Sequence, residues 1–290
     1  MRTITPHLWF DKEAKEAAEL YTSLLPDSTI KKITTLRNTP SGDCDVVSFE
    51  LAGQPFMAIS AGPLFKFNPA ISFHLKCKTR EEVDALFEKL ANGGKVLMPL
   101  GSYPFSERFG WLEDKYGVSW QVILMGEPRV NQRITPLLTF VGNVAGKAEQ
   151  AIQFYADVFR NSAASSAENT KANVLARYGK SEEPEREGTV RFASFTLAGQ
   201  EFGAMDSMRE HRFAFNEAIS FMVPCDSQQE IDYFWGRLAA DPNAGQCGWL
   251  KDKYGVSWQV TPAILGELLA SGDEERTGRV NAGVPEDEEV

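Results

Sequence analysis

Few side chains in this sequence can move a proton near neutral pH. Of three histidines, His74 lies in ISFHLKC, an apolar run with strand character. Alternation along a strand puts it on the same side as Ser72, where an imidazole is the one acid/base candidate for a cleft. His7, in TPHLWF, is expected to turn toward the helices as a structural residue. Gln121 and Gln259 each follow a tryptophan in the segment SWQV. If the amides face a cleft, they bring two N–H donors and a carbonyl acceptor that need partners or a ligand. Trp120 and Trp258 then face the packed side. Cys44, Cys77, Cys225 and Cys247 include no CxxC pair, so zinc-ribbon and dithiol chemistry lack their spacing and the thiols read as inert. There is no GxGxxG, and Gly93-Gly94 follows a helix-like segment whose cap it forms.

The elements that must position these groups come from a repeat. FGWLEDKYGVSWQV, Phe109 to Val122, returns as CGWLKDKYGVSWQV, Cys247 to Val260, with 12 of 14 positions identical at an offset of 138. Only Phe109/Cys247 and Glu113/Lys251 differ. Internal repeats at this separation mean tandem copies of one domain. ITP at Ile4 and Ile134, LAGQ at Leu51 and Leu197, and NxAISF at Asn68 and Asn216 extend the match. Each half reads as two βαβββ modules. In the first half the strands fall at about Ile4–Phe10, Ile30–Leu36, Val46–Leu51, Phe56–Ala61, Ile71–Cys77 and Lys95–Leu100. A closing hairpin brings Gly110–Leu112 and Val118–Ile123 together around the Asp114–Gly117 turn. Helices are expected over Asp11–Leu25, capped by Asp11, and over Arg80–Leu90. The second half gains residues before its LAGQ turn, including the polar run Gly179–Gly188, expected as a solvated loop. It loses 10 before its hairpin, which removes the counterpart of Lys95–Leu100 and of the SYPFSERF loop.

Residues 1–127 and 134–268 are the expected domains, joined by a linker at 128–133 and followed by an acidic flexible tail at 269–290. A net charge of -10 without a basic stripe disfavours nucleic acid. No long apolar run argues for a membrane span, and the N-terminal segment lacks signal-peptide architecture, so a cytoplasmic protein is expected. Phe65, Phe67, Tyr103, Phe105 and Trp111 either line or lid an apolar pocket or form the contact between halves. The SYPF segment has no second copy, so if only one half keeps a working pocket, the first is the one expected to do so.

The paired βαβββ modules, LAGQ, NxAISF and GWLxDKYGVSWQ together resemble the PhnB-like branch of the glyoxalase/bleomycin-resistance/dioxygenase (vicinal oxygen chelate) superfamily, some members of which carry the label 3-demethylubiquinone-9 3-methyltransferase. The resemblance covers residues 4–125 and 134–262. It implies an α+β fold in which pairs of modules curl around a concave pocket with helices on the convex face, and a tandem chain that resembles a dimer fused into one polypeptide. Single-domain relatives pair as dimers, so the chain is expected as an intrachain pseudo-dimer, alone or as a homodimer. The superfamily often holds a divalent metal with His/Glu ligands on four strands. Those positions fall here at Pro6 and Pro136, Ser60 and Asp206, Ser72 and Ser220, and Gln121 and Gln259; none in the first half is a His or carboxylate, and Asp206 alone is too weak to hold a metal. No cofactor is therefore expected, with a divalent metal as the alternative.

The resulting expectation is a metal-independent binder of a small organic molecule, or a mild enzyme with His74 as its acid/base group. Its candidate contacts are Ser60, Phe67, Ser72, His74, Tyr103, Phe105, Trp111, Gln121, Asp206, Ser220 and Gln259. A metal-dependent glyoxalase- or dioxygenase-type enzyme, and an interaction protein without a pocket, are the alternatives.

Overall fold

A computed structural model of the chain describes residues 3–39, 42–126, 132–162, 170–243, 245 and 248–264. The expected tail, most of the linker and Cys247 lie outside the described residues. The order is βαβββ four times, with the last copy short of one strand. The first module is β1 (Thr5–Phe10), α1 (Ala14–Leu24), β2 (Thr29–Thr39), β3 (Gly42–Leu51) and β4 (Gln54–Ser60). The second is β5 (Ile71–Cys77), α2 (Arg80–Ala91), β6 (Lys95–Tyr103), β7 (Ser106–Glu113) and β8 (Ser119–Leu124). The third is β9 (Ile134–Phe140), α3 (Ala148–Arg160), β10 (Lys171–Arg177), β11 (Val190–Leu197) and β12 (Gln200–Asp206), with a 3-10 turn, Gly142–Val144, before α3. The fourth is β13 (Ile219–Cys225), α4 (Gln228–Leu238), β14 (Trp249–Lys251) and β15 (Ser257–Pro262). Among the described residues no helix is long and apolar enough to cross a membrane.

The two modules of a half do not share a sheet. One sheet runs β14-β15-β13-β1-β4-β3-β2 and the other β10-β11-β12-β9-β5-β8-β7-β6. The seam in each is an antiparallel pair between halves, β1 with β13 and β5 with β9. Each module leaves one side of its first strand unpaired by its own strands, and an unpaired strand edge must find a partner. The repeat makes those edges near-equivalent, so local pattern is silent about which one joins which.

The helix-bearing faces of the two sheets meet in one core. Phe56 of β4 packs on Phe73 of β5 with centroids 5.5 Å apart, and Phe202 of β12 on Phe221 of β13 at 5.3 Å. Ala14, Ala17 and Ala18 are fully buried in α1. Their small side chains let the helix backbone lie close to β3, the sort of dense contact that native cores require.

The repeated DKYGVSW segment has a single structural job. Asp114 is buried and accepts four hydrogen bonds: Tyr21 Oη at 2.7 Å, Trp120 Nε1 at 2.9 Å, Tyr116 N at 2.9 Å and Val118 N at 3.0 Å. Asp252 does the same with Tyr155 Oη (2.7 Å), Trp258 Nε1 (2.9 Å), Tyr254 N (2.8 Å) and Val256 N (3.1 Å). Two of the four donors close the turn, whose Gly117 and Gly255 both adopt φ +90, a conformation glycine enters without steric cost. The tyrosines arrive from helices that belong to the opposite sheet. Each carboxylate therefore ties one sheet to a helix of the other.

Several local expectations change. The α1 N-terminus is held by Ser60 Oγ, which accepts Ala14 N at 3.2 Å, in place of Asp11. SYPFSERF is the β6–β7 hairpin where a loop was expected, because its residues continue the ladder from Lys95/Glu113 to Tyr103/Ser106. The Gly179–Gly188 run is not wholly solvated, since Glu185 is buried and accepts Ser207 Oγ at 3.0 Å and Met208 N at 2.6 Å. Among the described residues the second half has no β6 counterpart, and β14 spans three residues.

A hydrogen bond to a buried charged group contributes about 1.5–3 kcal/mol. Tyr21→Phe and Tyr155→Phe should each lower stability by that order, read as a shift of the urea midpoint at unchanged slope. A loss below about 0.5 kcal/mol would show that the carboxylates do not need the helix donors.

Candidate functional site

A cavity of about 510 Å³ opens on the face of the seven-stranded sheet that points away from the helices. Its walls come from both halves: Trp9 of β1 and Phe65 from the loop after β4, then Glu217, Asp241, Trp249, Lys251 and Ser257. The cavity is thus shared by the two halves. The missing strand explains the position. In the eight-stranded sheet β6 pairs along β7 and sets Met98 opposite Trp111. In the other sheet, among the described residues, no strand borders β14 on its outer side; Ala240 of the short turn after α4 donates its N–H to Lys251 O at 2.9 Å, and this turn lines the cavity.

The two copies of the hairpin differ inside this space. In the first copy Trp111 Nε1 donates to Ser119 Oγ at 2.8 Å. In the second, Ser257 Oγ is buried without any partner. The Trp249 ring lies instead edge-on to His7 at 5.4 Å and to Trp9 at 6.0 Å. Trp9 in turn meets Phe65 edge-on at 5.1 Å, and its own Nε1 donates to Gly62 O at 2.8 Å. Glu113 of the first copy is replaced by Lys251, which pairs with Glu217 at 2.6 Å.

His7 faces this side, contrary to its expected turn toward the helices. It stands opposite Ser220 in the ladder, which in turn stands opposite Ser257, so the three share one face. Pro6 stands opposite the core residue Phe221 and Pro136 opposite Phe73, so these positions point to the helices. The assumed register of the first strand is off by one, a slip that exchanges faces. TPHLWF carries large side chains at both parities, which leaves alternation without a clear polar side. Burial holds the His7 ring down to about 4, and its Nδ1 has no partner.

The other predicted contacts separate. Gln121 Nε2 donates to Ser72 Oγ at 2.9 Å and Gln259 Nε2 to Ser220 Oγ at 2.8 Å, two matching cross-strand ties. His74 stands opposite Gln121 on the eight-stranded sheet, its ring 6.1 Å from Phe192. Burial, with the charge of Lys76, lowers it to about 3. Ser60 and Asp206 both turn to helix starts: Asp206 accepts Ala148 N at 3.0 Å and Val190 N at 2.9 Å. Phe67 packs on Phe10 at 4.9 Å within the core. Tyr103 and Phe105 stack on each other at 5.7 Å at the β6–β7 turn, away from the cavity. Trp111 is held by Ser119. Residues that sequence reasoning missed are Trp9, Glu217, Asp241 and Ser257. The Glu113/Lys251 difference was the one signal pointing to them.

His211 was also overlooked. Its Nε2 lies 2.9 Å from Ser207 Oγ, but the serine proton goes to Glu185. The imidazole must then donate to the hydroxyl, the reverse of the arrangement that activates a serine nucleophile. Cys44, Cys77 and Cys225 are buried reduced thiols, and burial pushes the Cys77 thiol up to about 12.

These donors do not fit a divalent metal. Both Asp206 oxygens accept backbone N–H groups, the two glutamines present amide nitrogen to serines, and His7 sits among aromatic rings. Among the described residues no three His, Cys, Asp or Glu side chains converge. Nor do the glycines fit a nucleotide-type loop. Gly93, at φ +75, turns the chain out of α2, and a Cβ on Gly94 would lie 2.2 Å from Glu113 O, so this turn serves packing.

Paired βαβββ modules in two mixed sheets define a protein of the glyoxalase/bleomycin-resistance/dioxygenase fold. A mutant glyoxalase I from Zea mays superposes with a TM-score of 0.53 at 11% identity, over 92% of this chain and 94% of that one. A Bacillus subtilis protein gives 0.51 at 10% identity, over 96% and 95%. The chain belongs to the 3-demethylubiquinone-9 3-methyltransferase family, whose profile matches residues 2–123 and again 132–261. A PhnB protein from Bacillus cereus is 48% identical over 42% of this chain and 99% of its own, with a TM-score of 0.41. No curated protein matches by sequence.

His7 and His74 are both held below the ordinary 6.5, to about 4 and about 3, so unfolding takes up protons. Their contribution to stability is complete above about pH 6.5 and falls on acidification toward those values, by no more than about 1.4 kcal/mol per pH unit for each ring. The repeat supplies neutral replacements, because Met222 and Leu137 occupy the matching positions. His74→Met and His7→Leu should each flatten the fall in urea midpoint between pH 6.5 and 5; an unchanged slope would contradict the burial of neutral rings.

Proposed function

We propose that this chain is a cytoplasmic protein that binds a small organic molecule without a metal ion, in the cavity on its seven-stranded sheet. The observation that carries this reading is the cavity itself. It is about 510 Å³, lined by Trp9, Phe65, Trp249 and Ser257, whose hydroxyl is buried and unpaired. Apolar pockets of this size with a few convergent polar groups are the usual form of small-molecule sites. A buried hydroxyl without a partner costs free energy that a ligand can return.

Binding is favoured over proton chemistry. His74 lies on the other sheet, and His7 stands behind the Trp249 ring with its neutral form favoured by burial. What the site offers is contact surface. The fused halves act as an internal pseudo-dimer, since each sheet needs strands from both and the cavity uses residues of both. The family description names a methyl transfer, but no group at the cavity takes a role specific to that reaction.

A thermal-shift screen of chelator-treated protein against small aromatic compounds tests this. A ligand at 100 times its Kd should stabilise by about 2.7 kcal/mol. The shift should vanish in Trp249→Ala and persist in Trp111→Ala, the same change in the other copy. A divalent ion retained stoichiometrically after purification, with ligand shifts that disappear on chelation, would replace this reading with the metal-dependent one.

A further inference from the structure

We propose that the ligand of this cavity is a flat organic cation that packs against the Trp9, Phe65 and Trp249 rings, face to one and edge to another, and places a hydrogen-bonding group on Ser257. The inference rests on the cavity being the binding site and adds the charge and shape of what it takes.

Three observations converge. The first is the wall of rings. Trp9 meets Phe65 at 5.1 Å and Trp249 at 6.0 Å, each edge-to-face at 78°. The Trp9 indole N–H is committed to Gly62 O, so this ring has only its apolar surface left to offer. Aromatic faces carry negative charge density and attract cations, more strongly where water is excluded.

The second is the balance of charge. The cavity is lined by the carboxylates of Glu217 and Asp241 against the single ammonium of Lys251. That ammonium lies 2.6 Å from Glu217, so the positive charge that would draw an anion is already answered. Asp241 is left on the exposed rim, and a chain of net charge -10 adds a field of the same sign.

The third is the broken symmetry at Ser257. Its twin Ser119 receives the Trp111 indole N–H at 2.8 Å. Ser257 is 1% exposed and receives nothing, because the tryptophan that would satisfy it has turned onto His7 and Trp9. The same movement completes the ring wall and frees a polar anchor beside it. Ser257 belongs to the cavity lining, and an unpaired hydroxyl there is a place for one directional hydrogen bond.

Matched probes test the charge. 6-Amino-1-methylquinolinium, 6-aminoquinoline and 6-aminonaphthalene-2-sulfonate share a bicyclic shape and an amino group, and at pH 8 carry positive, zero and negative charge. Calorimetric titration of the full chain should show the cation binding at least tenfold tighter than the sulfonate, with affinity falling as salt is added. Asp241→Asn, on the exposed rim, should weaken the cation several-fold and leave the neutral probe unchanged. Ser257→Ala should weaken all probes that bind. Equal or tighter binding of the sulfonate overturns the inference while leaving the cavity as the site, provided Trp249→Ala abolishes that binding. Cation binding that survives Trp249→Ala overturns it as well. If none of the probes binds, the inference falls, and the thermal-shift screen above decides separately whether the cavity reading falls with it.

Discussion

Two buried carboxylates hold this architecture together. Asp114 and Asp252 each gather two backbone amides, a tryptophan and a tyrosine from a helix of the opposite sheet. Burial raises both groups, and their hydrogen bonds pull in the other direction. Unpaired, such a group would cost more than the fold could bear. With four donors it becomes a directional bond between layers whose remaining contacts are apolar and non-directional. This explains why DKYGVSW is identical in two copies whose loops differ freely: in each, the aspartate takes the same four donors.

Around that shared frame the copies diverge on the other face. The eight-stranded sheet is closed by β6, its Trp111 is tied to Ser119, and Lys76 is paired with Glu201 at 2.7 Å. Among the described residues the seven-stranded sheet has no equivalent of β6, its tryptophan lies against other rings, and a lysine stands where the first copy has a glutamate. Deleting an edge strand costs little to a sheet whose core lies on the opposite face, because the ties at Asp252 stay on the helix side. It leaves aromatic side chains facing space. A duplicated fold can thus keep one copy as a closed support while the other opens a cavity, with stability and binding assigned to opposite faces of the same strands.

The superfamily's metal positions show how far a resemblance carries. Here they hold groups that already have partners: Ser60 and Asp206 at helix starts, Gln121 and Gln259 on Ser72 and Ser220. The residues at the cavity lie on neighbouring strands and on loops, at places the family pattern does not mark.

Order and type of the elements were legible in the chain by itself, because alternation, helical spacing and the repeat are local and reinforce one another. So were the absent strand of the fourth module and the packed role of Trp120 and Trp258. Three things required the tertiary structure. Which module pairs with which was hidden because the repeat presents near-identical strand edges. The side to which His7 points was hidden because TPHLWF is large and apolar at both parities, so one step of register reverses it. And the cavity was hidden because Trp9, Phe65, Trp249 and Ser257 are distant in sequence and come from both halves, joined only where β1, β13, β15 and β14 lie side by side. Local pattern decides what a segment becomes; the pairing of equivalent edges, which no segment encodes alone, decides what it stands beside.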